Sequence, residues 1–580
     1  MFISKALLKL SKGCRLMLFG RCAEEVAIQV LGLLKALLTS FALNQIFITQ
    51  TNAGMNLIGL IFTFILVIVF EFLLSWHHQI NGIKCGIKIK NNIRNALVQI
   101  LFQKGPAYVQ EKRTGELNAA LVGKVEALEP YYTTYLPSGI ATVLTAVSVS
   151  LYLCSLDLLV GSICFLGFCT VIVVPNFWNK LMFKYGEEDW RLAVEFQADM
   201  MDNLQGMYTL KAFNSSEERG KRLEKLAWKM HDATMKDLSV SQIESALLIF
   251  GATVGSTVSV AAAIYRTING SVELNELVII FFLVTACFSP VFSLIDAWHL
   301  GYHGLTAAPA ILDLLNEECR NIEHKIQKKE YKFPLSLSFE NVSFRYNAGE
   351  KVLNNLSLVI PPCKTTALIG RSGSGKSTII NLLAGFYSVQ EGEIRVNGEA
   401  FDVDSLRDRI GIVWQDSYLF YGTIADNICF GKKNAAKEEI IIAAKKANIH
   451  DFIMTLPDKY ETIVGERGLR LSGGEKQRIA IARCFLRDVD FLIFDEATAN
   501  LDGENEALIQ ESINELVKNK TVLIVAHRLS TIMNADLIYV LDEGRIIQKG
   551  NHDSLMKEEG LYNELMRKQW TAMLDGEEEK

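Results

Sequence analysis

Six stretches of about twenty predominantly apolar residues crowd into the first 310 positions of this 580-residue chain, and none follows. They lie at roughly 26 to 48, 55 to 76, 135 to 154, 156 to 178, 245 to 265 and 277 to 297. Each is long enough to cross a bilayer as a helix, and in lipid only helices and closed barrels pair all of their own backbone groups. A bundle of membrane helices is therefore expected over the first half. The chain also exceeds what one hydrophobic core can organise. Half of its residues are hydrophobic and the mean hydropathy is +0.20, high for a water-soluble protein, with a formal net charge of only -6. From about 337 onward, alternating strand and helix patterns read as an α/β domain that belongs in water.

The connections sort by charge. ITQTNAG (48 to 54) and CSLD (154 to 157) are short and carry no Lys or Arg. The segments 77 to 134 and 179 to 244 are long and include Lys84, Lys88, Lys90, Arg94, Lys112, Arg113, Lys180, Lys184 and Arg191. Excess basic residues mark the cytoplasmic side, and an even number of spans places both termini there. The long segments are helical in pattern, so the spans should continue into the cytosol and end in short polar turns able to press on a soluble partner. The start, MFISKALLKLSKGCRLMLFG, lacks the compact basic region and cleavage site of a signal peptide. It reads as an amphipathic helix over 1 to 22 lying on the membrane surface. The remaining divisions are a membrane domain at 23 to 315, a linker at 316 to 336, a nucleotide domain at 337 to 570 and an acidic tail at 571 to 580.

Inside the spans, Lys35 falls near the middle of the first and Glu71 near the end of the second. An ionisable group at that depth faces either a cavity or a partner charge. Lys35 is open to a structural ion pair or a cargo contact, whereas Glu71, with His77 and His78 just beyond it, is expected to snorkel to the interface. Pro290 should kink the last span. The eleven cysteines show no paired spacing and no companion histidine cluster, which argues against a disulfide framework and a zinc site alike.

The chemistry lies in the second half. TTALIG reads as a buried strand and runs into RSGSGKST and then a helix, the context that a phosphate-binding loop requires. Gly370, Ser372, Gly373, Ser374 and Gly375 let backbone N–H groups approach phosphates, Lys376 reaches the β and γ phosphates, Ser377 ligates Mg²⁺, and Thr378 follows in the same turn. FLIFDEATANLD is an apolar strand ending in Asp495, suited to the Mg²⁺ shell, and Glu496, suited to activating water. His527 closes another apolar strand, TVLIVAH, where it can sense the γ phosphate. A second helix-opening glycine pair stands in LRLSGGEKQRIAIAR, Leu469 to Arg483.

Together these motifs resemble the nucleotide-binding domain of ABC transporters along its whole length. The resemblance implies that Tyr346 stacks on adenine and that Gln415 links Mg²⁺ to the membrane domain. It makes Ser472, Gly473, Gly474 and Glu475 the signature motif, Ala499 to Asp502 the D-loop and His527 the switch histidine. VGERG, Val464 to Gly468, looks like the segment that touches the cytoplasmic turns in exporter-type members. In the family two such domains meet head to tail, and the signature of one closes over the ATP held by the other. The second glycine pair would then serve a partner's nucleotide, because a helix N-terminus is an anion site. LSGGE stands where LSGGQ is commoner and ANLD where SALD is commoner; neither change removes a phosphate ligand or the catalytic acid.

The first half resembles the exporter-type membrane fold, with TGEL at Thr114 and LQGMYTLKAF at Leu204 in the coupling positions. TGELNAALVGKVEALEPYYTTYLPS and LGYHGLTAA are similar to CydDC-type transporters, which move thiols or haem compounds, although Gly123 and Lys124 replace the usual Asn and Asp of exporters. The expectation is an ATP-hydrolysing half-transporter, paired with a copy of itself or a second chain, exporting a small molecule or peptide. The same fold also admits an importer of a metal chelate, siderophore or haem-like compound, and an ATP-gated channel. No general basic footprint supports nucleic-acid binding.

Overall fold

The computed structural model describes residues 5–47, 54–112, 114–316, 331–346, 349–495, 503–526 and 532–567. The chain divides into two compact units, Met1–Asn321 and Ile322–Lys580. Within the described residues of the first unit, six helices are long and apolar enough to cross a membrane. They belong to α2 (Arg15–Phe47), α3 (Gly54–Glu111), α4 (Leu136–Leu156), α5 (Leu158–Gln205), α7 (Ser216–Ile268) and α8 (Leu274–Asn316); shorter pieces include α1 (Lys5–Leu10), α6 (Met207–Ala212) and the helical turns of Thr114–Asn118, Ala119–Lys124, Val125–Ala127 and Tyr131–Tyr135 that lead into α4. The 58 residues of α3 and 53 of α7 far exceed a bilayer's need, so the basic segments are largely continuations of the spans.

Several expectations are refined. The basic start forms α1 and the first turns of α2 in place of one helix over 1 to 22, and Leu7 is buried with its carbonyl accepting the Tyr132 hydroxyl at 2.6 Å. Packing against the chain's own helices has replaced a free amphipathic face. The CSLD turn shrinks to Asp157, whose Oδ1 accepts from the Leu159 and Val160 N–H groups while Oδ2 meets Arg266 at 2.7 Å. α8 runs on as helix through both Pro290 and Pro309. The break in helical backbone lies at Gly105, φ 74°, just before Pro106 in α3. Proline removes a backbone donor, and glycine alone takes that left-handed angle without strain. Most of ITQTNAG, linker residues 317 to 330, and the acidic tail lie outside the described residues.

Glu71 does not snorkel: its carboxylate pairs with Lys35 at 2.5 Å, and both side chains are less than one third exposed. Each charge is the other's solvation, which resolves both residues as a structural pair between α2 and α3. Nearby, His78 stands between Glu24 (3.2 Å) and Glu25 (3.1 Å), and the buried Arg21 donates to the carbonyls of His78 and Thr133.

Lipid supplies no hydrophobic drive between helices, so close approach depends on small residues. At Gly167 of α5 a Cβ would lie 2.7 Å from the Gly255 Cα of α7, with the Phe288 ring of α8 closing the same layer at 3.2 Å.

The second unit holds two sheets. One is antiparallel, in the order β2 (Lys351–Ile360), β1 (Leu337–Arg345), β4 (Glu391–Val396), β5 (Glu399–Ala400). The other runs β10 (Arg545–Gly550), β9 (Leu537–Asp542), β3 (Thr365–Gly370), β8 (Thr521–Val525), β7 (Phe491–Asp495), β6 (Ile410–Val413), parallel throughout except for β10. Its central strands are almost wholly buried, as a sheet covered on both faces requires.

Gly255→Leu is expected to force α5 and α7 apart and cost about 1–3 kcal/mol, read as an earlier thermal transition in detergent. Gly59→Leu, at an exposed helical position with nothing within 4 Å of its would-be Cβ, should melt with the wild type.

Candidate functional site

The parallel register decides where the chemistry gathers. Leu368 of β3 lies beside Val525 of β8, Val525 beside Asp495 of β7, and Phe494 beside Val413 of β6. The carboxyl ends of these strands therefore share one edge, the place where open parallel sheets bind ligands. From it emerge the loop after Gly370, the acid Asp495 and, two residues beyond β6, the exposed Gln415. Glu496, Ala499 to Asp502 and His527 lie outside the described residues, although Glu496 and His527 follow β7 and β8 directly or within two positions.

After β3 the loop turns on glycines. Gly373 (φ 80°) and Gly375 (φ 104°) occupy angles that side chains resist, and Gly375 opens α9 (Lys376–Leu383). Lys376 is 7% exposed, and its amine donates to the carbonyls of Gly370 (2.7 Å) and Arg371 (3.0 Å), folding back over the cradle. The Ser374 hydroxyl is buried without a hydrogen-bond partner. A near-buried cation, an orphaned hydroxyl and a helix N-terminus in one loop fit a polyphosphate. Ser372 and Ser377 are exposed at the cradle's rim, and Thr378 is buried behind it.

Tyr346, at the end of β1, donates its hydroxyl to Thr378 Oγ1 at 3.0 Å and packs edge-on against Phe344 and Tyr387, each 5.0 Å away. The aromatic is thus fixed beside the phosphate cradle by a bond to the helix that forms it.

The other glycine pair opens α10 (Gly473–Arg487). Ser472 caps it: Ser472 Oγ accepts from the Glu475 N–H at 3.4 Å, and Glu475 Oε2 accepts from the Ser472 N–H at 2.8 Å. This reciprocal box needs a side-chain acceptor at its third position, so Glu475 spends its carboxylate closing its own helix. Gly474 is buried while Ser472 and Gly473 are exposed. In Val464 to Gly468, Val464 is anchored by its N–H to Gly422 O at 3.0 Å, and Gly465 (φ 77°) leads into a turn of 3₁₀ helix.

One feature of the same domain gave no signal in the sequence. Between Gln415 and Phe430 the chain exposes Tyr418, Phe420, Tyr421 and Phe430, and Phe420 stacks on Phe430 at 4.7 Å. Arg483 of α10 holds this segment, donating to Asn427 O (2.6 Å), Asn427 Oδ1 (2.9 Å) and Tyr418 O (3.0 Å); burial pulls its guanidinium down to about 10. Arg483 ends the quoted signature stretch, but a single arginine gives no hint of a partner 56 residues earlier.

Two family descriptions match the chain, "ABC transporter transmembrane region" over residues 25–291 and "ABC transporter" over residues 353–499. The Bacillus subtilis (strain 168) protein named "Putative multidrug export ATP-binding/permease protein YgaD" is 33% identical over 483 residues, covering 82% of this chain and 83% of that one. The chain is an ABC transporter. A Staphylococcus aureus (strain NCTC 8325) relative of the same description is 32% identical over 486 residues, with 82% and 83% covered. A solved bacterial Atm1-family ABC exporter with ATP bound superposes with a TM-score of 0.87 at 28% identity, over 95% of this chain and 98% of that one. The transporter is thus a multi-pass membrane protein of the exporter type. Its membrane and ATPase halves are fused in one half-transporter chain, and it couples ATP hydrolysis to transport.

Removing the Tyr346 ring (Tyr346→Ala) should raise the ATP Kd about tenfold, since aromatic stacking on a base contributes about 1–3 kcal/mol. Tyr346→Phe, which keeps the ring and loses the hydroxyl's bonds to Thr378 Oγ1 and from Asn381 Nδ2, should shift it less than about threefold in equilibrium binding.

Proposed function

We propose that the transporter works as a dimer in the bacterial plasma membrane, both termini cytoplasmic, exporting small molecules at the expense of ATP bound at two composite sites. The observation that carries the reading is the shared strand edge, where the Gly370 loop, Gln415 and Asp495 meet in a chain that also carries six bilayer-length helices. The loop N–H groups from Ser372 to Ser377 and the Lys376 amine hold the β and γ phosphates, with Tyr346 against the adenine. Ser377, Gln415 and Asp495 provide the oxygen ligands for Mg²⁺, which when bound neutralises phosphate charge. Glu496 takes a proton from the attacking water, and His527 contacts the γ phosphate.

Ser472, Gly473 and Gly474 present the α10 N-terminus to the partner's nucleotide, and Glu475 keeps that terminus in shape. A chain with one cradle and one outward-aimed signature is half of the machine, and its partner is a copy or a second half-transporter. Closure of the pair switches access across the membrane helices, and hydrolysis resets it. The basic residues of 77 to 134 and 179 to 244 support the orientation. The descriptions of the relatives support a multidrug-like cargo.

Glu496→Gln should cut ATPase turnover at least about a hundredfold while leaving ATP affinity within threefold, because it removes the base but not its shape. Unchanged turnover in nanodiscs would reject the role. The tagged chain purified from its host should elute at the mass of two half-transporters; a monomer that hydrolyses ATP would reject the dimer.

A further inference from the structure

Outside the nucleotide site, the membrane half contains a fully buried carboxyl group that no ion pair among the described residues explains. Glu244, on α7 one residue before the fifth apolar run, is 0% exposed. Its Oε2 accepts the Trp298 indole N–H at 3.3 Å, and its Oε1 has no hydrogen-bond partner. No ion pair reaches it among the described residues. Around it runs a chain of rings: Tyr131 lies 5.6 Å from Tyr135, Tyr135 5.2 Å from Trp298, and Trp298 6.1 Å from Tyr302. Gly301 of α8 lets Tyr135 in; a Cβ there would stand 2.7 Å from the tyrosine Cβ.

The groups facing this carboxyl offer no cation. The segment before α4 contributes Tyr135, and α8 contributes Trp298 and the buried Tyr302, whose hydroxyl also lacks a partner. His299 is engaged through both ring nitrogens by Ser241 and Ser245 of α7. Asp237, one of whose oxygens is buried and unpartnered, lies near His303 and near Asp189 of α5, and Asp296 faces His299. An ionised carboxylate in such surroundings is far costlier than a neutral acid with one idle hydroxyl. A proton, unlike an organic cation, needs no space beside these rings.

We propose that Glu244 is a proton-binding site. The carboxyl holds a proton while α7, α8 and the Tyr131–Tyr135 segment are packed as in this structure, and releases it to water when that layer opens. The transport cycle thereby exchanges a proton at each chain. The step balances as carboxylic acid to carboxylate plus one solvated proton, with no redox partner. The linkage to the cycle rests on the transport reading above; the protonation itself does not.

The test uses the assembled transporter in nanodiscs and reads the carboxylic-acid C=O stretch by infrared difference spectroscopy. Wild type should show at neutral pH a band that Glu244→Gln lacks; its absence from wild type overturns the site. Trp298→Phe removes only a donor that favours the anion, so the band should persist to higher pH, and an unmoved titration also overturns it. A non-hydrolysable ATP analogue added in weak buffer should then move about one proton per chain in wild type and none through position 244 in Glu244→Gln. Equal proton exchange by both proteins, or none by either, overturns the linkage. ATP binding and Glu496-dependent turnover, measured on the same preparations, show separately whether the transport reading stands.

Discussion

Hydrocarbon offers no hydrogen bonds, and that one deficit shapes the first half of the chain. Every backbone group must be paired inside its own helix, so the apolar runs can only be helices. Helices that gain nothing from burying Leu against Leu must then hold together by touching closely and by satisfying their few polar groups. The Gly167–Gly255 crossing does the first. Lys35 with Glu71, Arg21 on the carbonyls of His78 and Thr133, and Asp157 with Arg266 do the second. Each polar contact joins residues far apart in sequence, so it fixes which helices are neighbours.

In the water-exposed half, the same backbone accounting is settled by a sheet. Parallel pairing of β3, β8, β7 and β6 aligns their carboxyl ends, and the loops that leave those ends have no strand partner to satisfy them. The Gly370 loop meets this partly by folding Lys376 over the carbonyls of Gly370 and Arg371. Position 475 shows a similar economy: an acid where glutamine is commoner still closes the α10 capping box, because the box needs only an acceptor oxygen.

What was legible in the sequence was local. A glycine-rich loop between strand and helix, six apolar runs and an acid-tipped strand each declare themselves within about fifteen residues, and the architecture and family followed from them. What was hidden depends on pairing across long separations. Glu71 reads as an interfacial acid until Lys35 is seen opposite it, and Arg483 reads as a helix surface residue until Asn427 receives it. Glu244 looks like one more acid at the foot of a span; only the fold surrounds it with Tyr135, Trp298 and Tyr302.

The glycine crossing also limits how the membrane half can deform. α5 and α7 pack along much of their length and meet backbone to backbone at Gly167 and Gly255. Two rods in such contact resist sliding and splaying, because any shear drives one main chain into the other. They behave as a single stiff lever, and motion has to be taken up at looser seams such as the one α8 makes with them.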